Sequence, residues 1–230
     1  MSNSPSSAPV AKRLAGTVTE RLERRLLTWI CRRLPDWITP DRLTFLGLFG
    51  AVMALGGYVL SERDSAWLWL AILGVLLNWF GDSLDGSLAR FRQTERPRYG
   101  FFLDHMTDSL AVGMIAVGIG LSPYVRIECG LAILTAYYLM IILSMVTCIA
   151  TGTFRIGFGG IGPTEVRLLI VITTAVGYFV PIAQWTVAGI VVSLYDLIVA
   201  FVFIALIATC SLQIISTARA LSIADPSKHR

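Results

Sequence analysis

Of the 230 residues, 55% are hydrophobic and 15% charged, and the mean hydropathy is +0.70. Soluble domains carry roughly a quarter charged residues, so this composition excludes an ordinary water-soluble globule and points to an integral membrane protein. The net charge of +4 comes without any aromatic-basic module, and no nucleic-acid partner is expected.

Residues 1–18, rich in Ser, Pro and Ala, read as a disordered tail. The first 30 residues hold no apolar core of a signal peptide, so insertion through the chain's own spans is expected. Leu22, Leu26, Leu27, Trp29, Ile30 and Leu34 then recur at helical spacing against an arginine-rich face, which predicts an amphipathic juxtamembrane helix ended by Pro35. Two roles fit that helix: an anchor on anionic lipid, or a lid or wall over a site on the cytoplasmic side.

Six apolar stretches follow, at 44–61, 66–90, 100–121, 127–151, 164–181 and 188–219, each about the 20 residues needed to cross a bilayer as helix. The expected fold class is all-α integral membrane: six transmembrane helices behind a cytoplasmic juxtamembrane helix. A single membrane domain covers 19–220, and 221–230 form a cytoplasmic tail. Seventeen of the 19 Lys and Arg residues fall on one side of these spans, with Arg63 and Arg126 alone on the other. The positive-inside bias makes the first side, with both termini, cytoplasmic. Cys31, Cys129, Cys148 and Cys210 have no metal-ligand spacing and read as packing residues. Asp196, inside the last stretch, has no role beyond a partner within the bundle.

The stretch "GDSLDGSLARFRQTERPRYGFFLDHMTDSL", residues 81–110, places four aspartates on two otherwise apolar helices. Asp82 and Asp85, three apart, share one helix face, and Asp104 and Asp108, four apart, share another. The short basic connection between them makes the helices antiparallel neighbours, so that the two pairs face each other. Insertion scales charge about 2.5–3.5 kcal/mol for each aspartate at the bilayer centre, so a positive group must sit among them. Arg90 alone does not balance four carboxylates; two divalent ions, Mg²⁺ or Mn²⁺, do so in number and prefer such hard oxygen ligands. Gly86 and Ala89 lack bulk beside the acids and leave room for a ligand such as a diphosphate, with the cavity opening to the cytoplasm.

"DSLDGSLAR", nine residues, then "GFFLDHMTD" resembles the DxxDGxxAR…GxxxDxxxD signature of the CDP-alcohol phosphotransferases, and the resemblance covers roughly residues 20–220. It implies a di-metal site that holds a CDP-linked donor and releases CMP as a hydroxyl attacks the remaining phosphorus. Asp82, Asp85, Asp104 and Asp108 correspond to its metal-binding carboxylates. Gly86, Ala89 and Gly100 match the small positions near the nucleotide, and Arg90 matches the arginine near the donor phosphates. Asp108 is the family's usual base for the acceptor hydroxyl, and His105 is a second candidate. "TPDRLT" is similar to the family's Pro-Asn-x-x-Thr element bordering the cytidine, through Pro40 and Thr44, but Asp41 stands where Asn is usual. For Pro40 and Thr44 an ordinary helix start explains the residues equally well. The resemblance also implies a homodimer.

"DHMTDS" and "TGTFRIG…GPTEVR" look like the choline- and ethanolamine-phosphotransferase branch, in which a CDP-amino alcohol gives its phosphoalcohol to a diacylglycerol-like lipid. The alternative is the branch that joins CDP-diacylglycerol to a small alcohol such as inositol phosphate, glycerol phosphate or serine. A phosphorylated acceptor needs a basic pocket, which Arg155 and Arg167 supply unless they merely snorkel at helix ends. Glu165 is either a dipole-favoured acid in a first helical turn or a substrate residue. A rival from another class is a cation transporter, since intramembrane acids also mark ion pathways. The clustering of the acids toward one face, without an inverted repeat, disfavours it.

Overall fold

The computed structural model describes residues 12–14, 20–155, 163–180, 183–187 and 189–225. Seven helices carry it: α1 (Glu20–Cys31), α2 (Pro40–Leu60), α3 (Leu68–Phe91), α4 (Pro97–Leu121), α5 (Ile127–Thr151), α6 (Pro163–Phe179) and α7 (Leu194–Ala224). The short strands β1 (Lys12–Leu14) and β2 (Thr153–Arg155) pair in parallel, while β3 (Gln184–Val187) and β4 (Ile190–Ser193) form an antiparallel hairpin.

Among the described residues, five helices are long and apolar enough to cross a membrane: α2, α3 with its preceding turn, α4, α5 and α7. Five of the six expected stretches meet this length and composition. The stretch expected at 164–181 exists as α6, but its 17 residues reach about 26 Å at 1.5 Å per residue, short of a hydrocarbon core of roughly 30 Å. The stretch expected at 188–219 starts late. Thr186, Val191 and Val192 belong to a β-branched run that suits a strand, and Gly189 turns the hairpin at φ 81°, where a side chain is strained. Ser193 then starts α7, which runs on to Ala224, inside the expected tail 221–230. Most of the tail expected at 1–18 lies outside the described residues, although Lys12–Leu14 within it form β1.

Helix ends follow local chemistry. The Thr39 hydroxyl accepts the Arg42 amide ahead of Pro40, so Pro40 occupies the first turn of α2, where its missing N–H loses nothing. Asp64 accepts the Ala66 amide at 2.8 Å and caps the 3-10 turn leading into α3. Gly152 ends α5 at φ 69°, the left-handed cap that glycine adopts without a Cβ penalty. Arg92 donates to the carbonyls of Leu34, Pro35 and Ile38 and so fastens the α1–α2 connection to the end of α3.

The centre is the α2–α3 pair. Gly47, Gly50, Ala54 and Gly57 of α2 meet Ala71, Gly74, Asn78 and Gly81 of α3 with backbone against backbone. A Cβ built on Gly50 lies 2.6 Å from both the Asn78 nitrogen and the Gly74 oxygen, so nothing larger than glycine fits. Small residues at such spacing let helices approach in a membrane, where burial of apolar surface gives no drive for association. α4 also packs on α2, α6 on α3, α5 on α4, and α7 on α5. α1 buries Leu27 and Cys31 against Leu43, Leu84 and Leu88. Burial raises the Cys31 thiol above its ordinary pKa, against the opposing pull of Arg92 and Arg90. Phe45, Phe49, Ile142, Phe201 and Ile204 remain exposed along the outer faces, as lipid contact requires.

Asp196 gains a definite place. It is buried at 4% exposure, accepts the amides of Ser193 and Arg126 at 2.8 Å each, and completes a capping box with Ser193. The Ser193 hydroxyl donates to the Tyr124 carbonyl at 2.7 Å. The start of α7 is thereby tied to the α4–α5 connection. Asp196→Ala leaves two amides without their acceptor, at about 1–3 kcal/mol each. A fall in Tm of the purified protein in detergent is expected, with Asp196→Asn milder because it keeps one acceptor oxygen.

Candidate active site

The four aspartates come together on α3 and α4, near the helix ends joined by the 92–96 connection. Asp85 and Asp108 each lie within electrostatic reach of both Asp82 and Asp104. Their exposure is graded: Asp85 is buried at 7%, the side chains of Asp82 and Asp108 are 27% and 24% exposed, and that of Asp104 is 45% exposed. The cluster therefore opens past Asp104.

The cation among them comes from α6. Arg167, with a side chain only 8% exposed, donates through Nη1 to Asp82 Oδ2 at 2.7 Å and through Nη2 to Asp108 Oδ1 at 2.8 Å. A planar fork with two donors suits a bridge between carboxylates on different helices, which a lysine ammonium does not reproduce. The snorkelling expected as one alternative for Arg167 is corrected here: the side chain points into the bundle, because two acids wait there. The other half of that pair, Arg155, lies in β2, and its side chain falls outside the described residues.

Thr44, 7% exposed, gives its hydroxyl to Asp85 Oδ2 at 2.6 Å, so it supports an acid of the cluster directly. Pro40 serves the start of α2. Asp41 accepts from Arg96 Nη2 with both oxygens, at 2.7 and 2.6 Å, and the guanidinium of Arg96 stacks 4.0 Å from the ring centre of Tyr99. Asp41 thus joins the first turn of α2 to the start of α4 instead of standing as a lone substitute for Asn. The same carboxylate holds the Arg96 guanidinium above its already high pKa.

A Cβ on Gly86 meets only the Arg90 guanidinium, at 3.3 Å from Nη1, and one on Gly100 meets nothing within 4 Å. Gly100 thus borders open space, the Arg90 guanidinium lies over Gly86, and Ala89 beside Arg90 is half-buried. Arg90 reaches Ser87 Oγ at 3.4 Å. His105 Nδ1 lies 2.8 Å from the Phe101 carbonyl and 3.4 Å from Asp104 Oδ2, with its ring tilted over Phe101 at 4.2 Å. Its Nδ1 is engaged on its own helix, the geometry of a group that orients its neighbours. Glu165 is half-buried in the first turn of α6.

Hard oxygens in this number fit divalent ions, and one guanidinium against four carboxylates leaves formal negative charge for further cations to balance. Asp82 and Asp108 already converge on a positive group. Among the described residues no three His, Cys, Asp or Glu side chains form a ready-made cage. Beside the cluster lies an apolar cavity of about 210 Å³ between α4, α5, α6 and α7, running from Arg167 and Tyr137 past Ile170 to Tyr124 and Tyr195.

Two residues near the site escape a reading of spacing alone. Glu23 of α1 accepts hydroxyl hydrogen bonds from Ser83 and Thr164, and Tyr137 of α5 lies within electrostatic reach of Asp108 and Arg167. An acid on the same helical stripe as Leu27 and Cys31 was the available signal for Glu23. Tyr137 carries none.

Residues 37–195 match the CDP-alcohol phosphatidyltransferase family. Relatives include cholinephosphotransferase 1 of Danio rerio, 26% identical over 169 residues that make up 68% of this chain and 42% of that protein. The match therefore spans about two-fifths of that relative's length. Phosphatidylinositol phosphate synthase of Cutibacterium acnes is 38% identical over 84 residues, 36% of this chain and 38% of that protein. The fold resembles that of Mycobacterium tuberculosis phosphatidylinositol phosphate synthase crystallised with CDP-DAG bound, at a TM-score of 0.57 and 20% identity, covering 86% of this chain and 94% of that one. A second crystal structure of that synthase, in complex with manganese and citrate, gives a TM-score of 0.56 at 21% identity over 87% and 88% of the two chains. With more than half of its length matched by the family, and the family's spaced acids gathered around one buried arginine, this chain belongs to the CDP-alcohol phosphatidyltransferases.

Proposed function

We propose that the protein is a phospholipid-synthesising transferase that cleaves a CDP-linked donor, releases CMP and joins the phosphoalcohol, such as phosphocholine or phosphoethanolamine, to the hydroxyl of a diacylglycerol-like lipid. The observation that carries this reading is the cluster of four aspartates, two of them bridged by Arg167, beside an apolar cavity. Such a cavity suits an apolar acceptor arriving laterally from the bilayer. The cholinephosphotransferase relatives support the choice of branch.

The chemistry follows from the residues. Asp108 accepts the proton of the acceptor hydroxyl; that oxygen forms a bond to the phosphorus carrying the alcohol, and the bond from this phosphorus to the bridging oxygen breaks, so that CMP leaves with that oxygen. Asp82, Asp85, Asp104 and Asp108 would hold two Mg²⁺ or Mn²⁺ ions, which supply charge neutralisation to the diphosphate. Thr44 holds the Asp85 carboxylate by hydrogen bonding. Arg167 fixes Asp82 and Asp108 relative to each other, and Arg90, whose guanidinium lies over Gly86, faces the donor phosphates. His105 orients Asp104. In this reading α6 is the sixth, short span, the domain covers 19–220, α1 lies at the cytoplasmic surface, and the site opens to the cytoplasm, as the basic residues around it support.

A second reading, transfer of a phosphatidyl group from CDP-diacylglycerol to a small alcohol, is favoured by the local identity to a phosphatidylinositol phosphate synthase. Donor and acceptor panels separate the two. Purified protein with Mg²⁺ or Mn²⁺ is expected to move label from CDP-choline or CDP-ethanolamine into lipid. CMP release from CDP-diacylglycerol alone reverses the branch, and no CMP release from any donor removes the enzyme in favour of a transporter.

Two further outcomes are expected. Chelation should abolish turnover, and Asp82→Asn should abolish turnover and weaken Mn²⁺ binding measured by electron paramagnetic resonance, with a fall in Tm besides, since the amide leaves Arg167 with one carboxylate partner instead of two. Asp108→Asn should lower turnover by roughly a hundredfold or more while donor affinity stays near normal, as expected for loss of a general base. His105→Ala should be milder; equal loss in both would move the proton acceptor to the histidine.

A further inference from the structure

We propose that Glu23 is a positioning residue for this site, holding α3 and α6 at the separation at which Arg167 spans Asp82 and Asp108. The inference rests on the transferase reading for its link to turnover, though not for its geometry.

Glu23, Leu27 and Cys31 recur every four residues and so share one face of α1. Leu27 and Cys31 bury that face against α3, which directs Glu23 toward the site. Its Oε1 accepts from Ser83 Oγ at 3.0 Å, and both of its oxygens lie 3.1 Å from the donating Thr164 hydroxyl. Ser83 directly follows Asp82. Thr164 is three residues ahead of Arg167, hence on the same face of α6. The contacts close a circuit: Glu23 to Ser83 on α3, along the chain to Asp82, across to Arg167 on α6, down one turn to Thr164, and back to Glu23.

A helix otherwise crowded with arginines thus turns an acid inward, onto hydroxyls from two different helices. Carboxylate oxygens that accept from both fix their relative position, because neither hydroxyl reaches the other element by itself. Without Glu23 the first turn of α6, which begins at Pro163, loses this hydrogen-bonded tie to α3. Arg167 to Asp82 is then the side-chain hydrogen bond described between α6 and α3, beside their packing.

The test compares Glu23→Ala with Glu23→Gln, whose carbonyl oxygen still accepts from a hydroxyl. Hydrogen exchange of the amides in 163–170 is measured together with the kcat and KM of CMP release. In E23A, exchange is expected to rise across 163–170 and kcat to fall roughly ten- to a hundredfold, the scale of a small misplacement of reacting groups. KM for the CDP-linked donor should stay within about twofold, and E23Q should restore both readouts to within about threefold of wild type. Where E23A does not accumulate, Thr164→Val, which removes the partner hydroxyl at nearly constant volume, carries the same expectation. Unchanged exchange across 163–170, wild-type kcat, or an E23Q as impaired as E23A overturns the proposal. Exchange needs no substrate: a wild-type protein that releases no CMP refutes the transferase reading, and exchange alone then decides whether Glu23 holds α6.

Discussion

The fork of Arg167 between Asp82 and Asp108 is the contact on which the site depends. Acids this far along apolar helices are expensive to insert, and removing one partner of a buried pair costs about 3–5 kcal/mol. Three helices therefore have their positions set by one guanidinium. α3 and α4 must present their acids at the same level, and α6 must start close enough to α3 for a side chain in its second turn to reach both. The level of Arg167 is set by that requirement.

The aspartates are not equivalent, although the spacing treats them alike. Asp85 sits deepest, against the Thr44 hydroxyl, and Asp104 stands nearest the open side beside His105. A gradient of burial across one cluster gives a polar ligand a direction of approach. The accessible end of the cluster is Asp104 and the least accessible is Asp85. The apolar cavity has Arg167 in its own lining, so polar and apolar surroundings meet at one guanidinium.

Much of this was legible in the sequence because the signals are local. Acid spacing of three and four residues, small residues beside them and apolar stretches of about 20 residues all lie within a few turns of one another. What escaped depended on distance along the chain. Arg167 is 85 residues from Asp82, and Thr164 is 141 from Glu23, and no periodicity links such pairs. The last apolar stretch was begun too early because hydropathy alone does not separate a β-branched strand from the start of a helix. The stretch at 164–181 did become a helix, α6, but one of 17 residues. Asp196 looked like an intramembrane acid and proved to be a helix cap, because its partners are backbone amides that carry no sequence signature.

The backbone contact between α2 and α3 divides the molecule into a half that cannot adapt and a half that can. A methyl group at Gly50 has nowhere to go, so neither helix can shift, rotate or be re-registered by ordinary substitution. Apart from a second close backbone approach, between Gly120 of α4 and Gly130 of α5, the walls of the cavity are side chains whose volumes can be traded against one another. Divergence in the molecule accommodated should accumulate on that second half, with the reacting groups of α3 kept in place by a surface on which selection has almost no freedom to act. An attempt to redesign acceptor preference should accordingly leave the glycines of α2 and α3 alone and recut the walls contributed by α5, α6 and α7.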